Sequence, residues 1–169
     1  MNAPASRPLF TPPEHLRTTD ENNAWYRHEN NAIALVFVHG VLSNSRSCWL
    51  NEDKKGKPVY WPWLVGTDKR LPPMDIFLGG YYTAVHSGDY DVRSSATELF
   101  NALNVPDIDY NSRPLDKPQL IFVCHSTGGI VVRYMLFRQW QHFASKRIGL
   151  VLIASPSSGG MGGAAEMDR

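Results

Sequence analysis

Every position from 33 to 38 is apolar, and the run stops at His39-Gly40. An unbroken apolar run of this length, closed by a turn signal, predicts a strand covered on both faces, as in a parallel sheet. The same pattern predicts strands over 74–78, apolar except for Asp75 and closed by Gly79-Gly80, and over 119–124 and 148–153. In 91–103, Val92, Ala96, Leu99, Phe100 and Leu103 recur at helical spacing, with Ser95 and Glu98 placed as a capping box. A second helix is expected from Thr127 to about His142, and a single helical turn at Trp61-Pro62-Trp63-Leu64, stopped near Gly66.

Strands alternating with helices at this pitch predict an α/β fold, a mostly parallel sheet with flanking helices joined by right-handed crossovers. Polar stretches fill the gaps: a loop over 41–57, a surface loop over 81–89 and a proline-punctuated connector over 104–118. Prolines at 4, 8, 12 and 13 and the polar cluster 18–23 read as an extended arm over 1–31, with a short strand at 24–27. One partial α/β domain is expected over 32–160, followed by a flexible Gly-Ala tail over 161–169.

Composition narrows the function classes. The chain of 169 residues is 43% hydrophobic, and 17 Lys+Arg balance 16 Asp+Glu, so no electrostatic footprint for nucleic acid appears. No apolar run reaches the roughly 18 residues that a bilayer-spanning helix needs, and residues 1–13 lack a secretory h-region. With only Cys48 and Cys124, a disulfide framework is not expected; two buried free thiols in a reducing, cytoplasmic setting are. The five tryptophans form no single stripe, and Trp61 and Trp63 read as helix-packing residues first.

The chemistry is concentrated in Leu120-Ile121-Phe122-Val123-Cys124-His125-Ser126-Thr127-Gly128-Gly129, a buried strand that runs into a helix with a serine at the turn. This segment resembles a nucleophile elbow. Such a turn holds the serine at a strained positive φ, at a cost of roughly 1 to 3 kcal/mol, and needs small residues two places to either side. Gly128 supplies one of them; Cys124 stands where the other is usually glycine. The Thr127 N–H, at a helix start, is placed to receive a developing oxyanion. A second donor is expected from the loop after the first buried strand, where His39-Gly40 leads to the Val41 N–H. His39 reads as a residue that holds its loop, and His125 as pointing away from the Ser126 hydroxyl.

Both motifs, in this order, resemble the lipase-like branch of the α/β-hydrolases, and most closely the family of serine-active-site-containing proteins. The resemblance runs from about Ile33 to Gly160. It includes His39-Gly40, Trp61-Pro62-Trp63 and Pro72 before the next strand, the His-Ser-x-Gly-Gly elbow with Gly128 and Gly129, the Ile130-Val131-Val132-Arg133-Tyr134 helix and the Ala154-Ser155-Pro156 loop. It implies hydrolysis or transfer of acyl groups on carboxylic esters, often lipids, through an acyl-enzyme at Ser126, with no metal and no cofactor.

The family places its acid and histidine on later strands, so a truncated form without them is expected here. Candidates within the chain are weak: His86 has no specified carboxylate partner, and Glu166 and Asp168 belong to the tail. Two other functions stay open, a catalytically inactive binding or interaction module and a thioesterase or glycolipid deacylase. The edge of the strand over 148–153 is expected to be exposed and to favour self-association.

Overall fold

A computed structural model describes residues 23–41, 43, 47–82, 91–107 and 110–156. The first elements are β1 (Ala24–Arg27) and β2 (Ile33–Val38), the latter buried along almost its whole length. After a 3₁₀ turn (Ser47–Trp49), the short strands β3 (Leu50–Glu52) and β4 (Pro58–Tyr60) form an antiparallel hairpin that leads into α1 (Trp61–Thr67). The expected loop over 41–57 therefore carries a hairpin. Its strands are too short and polar to register as a period-2 pattern, since Asn51 and Glu52 are exposed.

The chain continues through β5 (Asp75–Gly79), α2 (Val92–Asn104), β6 (Gln119–His125), α3 (Gly128–Arg138), α4 (Trp140–Phe143) and β7 (Arg147–Ile153). The helix expected from Thr127 to His142 is thus two helices, broken where Gln139 leaves the helical region at φ −110°, ψ 25°. The start of α2 also differs from the capping box at Ser95 and Glu98. Asp91 is the cap, accepting from the Arg93 N–H at 2.9 Å and the Ser94 hydroxyl at 3.1 Å. Ser95 is buried inside the helix, and Glu98 accepts the Tyr82 N–H.

Five strands form one sheet in the order β1-β5-β2-β6-β7, parallel except for β1, which is antiparallel to β5. Of the expected arm over 1–31, residues 23–31 are described, and the short strand expected at 24–27 is β1, paired with β5. Trp25 accounts for this: it is buried, and its ring packs edge-on against Phe77 at 5.2 Å. The tail expected over 161–169 lies outside the described residues.

Alternate residues of the strands feed two apolar layers. On one face Val36, Val38, Leu120, Phe122 and Cys124 meet Leu99, Phe100 and Leu103 of α2, Val131, Val132 and Met135 of α3 and Phe143 of α4. On the other, Leu35, Phe37, Ile76, Leu78 and Val123 meet Trp49, Tyr60 and Val65. The connection from β2 to β5 covers the second face, and that from β6 to β7 the first. The chain thus leaves the neighbouring strands β2 and β6 toward opposite faces and opposite sides, a topological switch point. In open α/β sheets ligands bind at such a switch point. Among the described residues, no helix is long and apolar enough to cross a membrane.

The opposite end of the sheet is tied by a buried ion pair. Asp75, wholly inaccessible, lies 2.8 Å from Lys117 Nζ, and its other oxygen accepts from the Glu29 and Asn31 N–H groups and the Asn31 side-chain amide. Burial pushes this carboxyl up, but Lys117 and the three N–H donors pull harder, so its pKa is held below the ordinary value. Removing one partner of a buried pair strands the other, so Lys117→Met should cost about 3 to 5 kcal/mol, read as a lower urea midpoint. A depressed carboxyl pKa contributes stability above the unfolded-state value of about 3.9 and loses it as pH falls through the folded-state value. The gap in unfolding free energy between the parent chain and Asp75→Asn should therefore shrink on acidification; a gap that stays constant would contradict this.

Candidate functional site

Ser126 lies at the switch point, between the end of β6 and the start of α3. Its φ is 52°, in the left-handed region that a residue with a Cβ rarely enters. What holds it there is close packing of three backbone segments around the turn. The Ser126 N–H donates to the Ile153 carbonyl at 2.9 Å, tying the turn to the end of β7. A Cβ on Gly40 would stand 2.9 Å from the Ser126 Cβ and 3.4 Å from its hydroxyl oxygen. A Cβ on Gly128 would clash with the His39 carbonyl oxygen, and one on Gly129 with Ser155 Oγ. Each glycine admits a different neighbour, namely the serine, the β2 loop and the β7 loop.

The two residues expected to supply the donors, Val41 and Thr127, are in contact with each other. The Val41 N–H donates to the Thr127 side-chain hydroxyl at 2.9 Å, so the β2 loop and the start of α3 are in direct contact. The Thr127 N–H, at the N-cap of α3, has no acceptor among the described residues. An oxygen bound here would meet the Thr127 amide directly and reach Val41 by displacing the Thr127 hydroxyl or rotating it to donate.

His39 holds the β2 loop, as its sequence position suggests. It is wholly buried, stacks on Tyr81 with ring centroids 4.9 Å apart, and has its Nδ1 2.8 Å from the Gly40 carbonyl. Tyr81 returns two bonds, its N–H to His39 Nε2 at 3.4 Å and its hydroxyl to the His39 carbonyl at 2.9 Å. These partners specify a neutral ring protonated at Nδ1, and burial, only partly offset by the bond to Gly40, lowers its pKa. Tyr81, expected on a surface loop, is a buried part of this clamp.

His125 faces the other layer, with Nδ1 3.4 Å from Cys48 Sγ and its ring edge-on to Trp49 at 6.3 Å. Neither flanking imidazole is therefore aimed at the serine. His28 lies beside Asp75, at the amino end of the sheet, and His142 packs on Phe100. Among the described residues no imidazole is hydrogen-bonded to Ser126. His86, Glu166 and Asp168 lie outside the described residues, as does Gly160 at the end of the resemblance.

Cys124 is a buried free thiol, pushed up to about 12 by burial. Cys48 is free but only half-buried, packed from the 3₁₀ turn against the second layer. Trp61 and Trp63 pack less than expected, being 41% and 38% exposed on α1, with Leu64 beside them at 41%. Arg133, which gave no sequence signal beyond its place in the helix, bonds the Gly129 carbonyl at 3.0 Å and the Pro156 carbonyl at 2.6 Å. It thereby fastens the loop after β7 to α3. A cleft of about 650 Å³ between His28, Asn31, Tyr110 and Lys117 lies at the amino ends of β2 and β6, remote from Ser126. No group of three or more metal-ligating side chains forms among the described residues.

Comparison with protein-family models, with curated proteins and with solved structures gives no match.

The packing around the turn sets a direct expectation. Gly128→Ala drives a methyl group into the His39 carbonyl and should lower stability by about 1 to 3 kcal/mol, measured by chemical denaturation. Unchanged stability would mean that α3 does not pack against β2 this closely.

Proposed function

We propose that this chain carries the nucleophile and oxyanion-binding part of a serine hydrolase of the α/β-hydrolase type, acting on carboxylic esters through an acyl-enzyme at Ser126. The observation that carries the reading is Ser126 at φ 52° in a strand-to-helix turn, at the switch point of a mostly parallel sheet and in contact with Gly40 of the facing loop. A serine in an ordinary connection has no need of this strain or of three glycine-sized gaps around it.

In the proposed reaction the Ser126 oxygen attacks the acyl carbon and the hydroxyl proton passes to a base. The carbonyl oxygen, now an anion, is met by the Thr127 N–H at the start of α3 and by the Val41 N–H once the Thr127 hydroxyl has turned away from it. Collapse of the tetrahedral species expels the alcohol and leaves the acyl group on Ser126. Trp61, Trp63 and Leu64 support an apolar acyl chain, since Trp61 lies 6.2 Å from Trp49, which in turn borders His125 next to the serine. This favours lipid-like esters, with thioesters and glycolipid acyl groups as chemically related substrates.

A second reading, an inactive binding module, draws on a different observation. The Val41 amide is occupied by Thr127, and no described imidazole is bonded to the serine. The two readings separate in one experiment, a fluorophosphonate probe and a p-nitrophenyl ester applied to the parent chain and to Ser126→Ala. The esterase reading expects labelling at Ser126 that vanishes in the variant, with ester turnover only where an acid and a base are supplied. No Ser126-dependent labelling would favour the module and remove the serine from the chemistry.

A further inference from the structure

A cysteine lies against the residue that precedes the serine. Cys48 Sγ is 3.4 Å from His125 Nδ1, within hydrogen-bond reach for sulfur, and the Gly40 N–H and Ser43 hydroxyl also contact the thiol. Both residues are partly exposed, and the pairing places a thiol against an imidazole, the arrangement that activates cysteine nucleophiles. Cys124, by contrast, is wholly buried in the opposite layer and has no imidazole partner among the described residues.

We propose that Cys48 and His125 form a thiol–imidazole pair that adds to soft carbon electrophiles of the α,β-unsaturated carbonyl class, independently of the chemistry at Ser126. In the step, the Cys48 proton moves to His125 Nδ1 while sulfur bonds to the β-carbon. The π electrons shift to the carbonyl oxygen as an enolate, and the imidazolium returns the proton to the α-carbon. Atoms and charge balance with no other reagent. Burial raises the thiol pKa, so the resting form is the thiol and the base is needed for reaction. The two donors at the sulfur, Gly40 and Ser43, stabilise the anion as it develops. The adduct would sit on the 3₁₀ turn that carries Cys48, against His125.

The test is acrylamide alkylation of the intact chain, with each cysteine followed by peptide mass spectrometry and Cys124 as the internal reference. Cys48 should react about tenfold faster than Cys124 or more, and His125→Gln should remove most of that advantage while leaving the circular dichroism spectrum unchanged. His125→Asn serves as a second variant. In the unaltered chain, the His125 imidazole nitrogen resonances should shift on alkylation of Cys48, a readout that needs no variant. Equal rates at the two thiols, an unchanged Cys48 rate in a folded His125 variant, or unmoved imidazole resonances would overturn the proposal.

Discussion

A serine in the left-handed region crowds its own Cβ against the backbone, and the conformation persists only if its surroundings leave it no alternative. In this chain the surroundings are three segments in van der Waals contact. The β2 loop meets the serine at Gly40, the start of α3 meets the β2 carbonyls at Gly128, and the loop after β7 meets α3 at Gly129. The bond from the Ser126 N–H to the Ile153 carbonyl closes the arrangement. Strain at one residue is thus offset by packing spread over β2, β6, β7 and α3, and the hydroxyl is held at the rim of the sheet.

The same packing accounts for what sits around the serine. Because α3 approaches β2 so closely, the Thr127 side chain reaches the Val41 amide and joins the two elements directly. His39 is spent on keeping this contact, clamped between Tyr81 and Gly40, and is neutral for the same reason. His125, one place before the serine on a strand, must face the opposite layer, where it meets Cys48. Alternation along β6 thus turns Cys124 into one layer and His125 toward the other.

Much of this was legible in the residues. The apolar runs marked β2, β5, β6 and β7, but only β2, β5 and most of β6 are buried; β7, last in the sheet order, leaves Leu150, Val151 and Leu152 exposed. The spacing of Gly128 and Gly129 after Ser126 marked the turn. What escaped were features decided by tertiary contact. The β3–β4 hairpin is too short and polar to show a period, Asp91 outcompetes Ser95 as the cap of α2, and Gln139 breaks a helix that composition would continue. The occupation of Val41 by Thr127, the Tyr81 clamp and the Cys48–His125 pair each join residues about 40 or more positions apart, which no local pattern encodes.

The account rests on one geometric claim, that an oxygen on an atom bonded to Ser126 Oγ falls between two main-chain amides. A crystal structure of the chain after reaction with a phosphonylating probe tests it most directly. The account predicts phosphorus on Ser126 Oγ with one phosphoryl oxygen within hydrogen-bond distance of the Thr127 and Val41 nitrogens and the Thr127 hydroxyl turned from its present position. An adduct whose oxygens all face away from those nitrogens would contradict it.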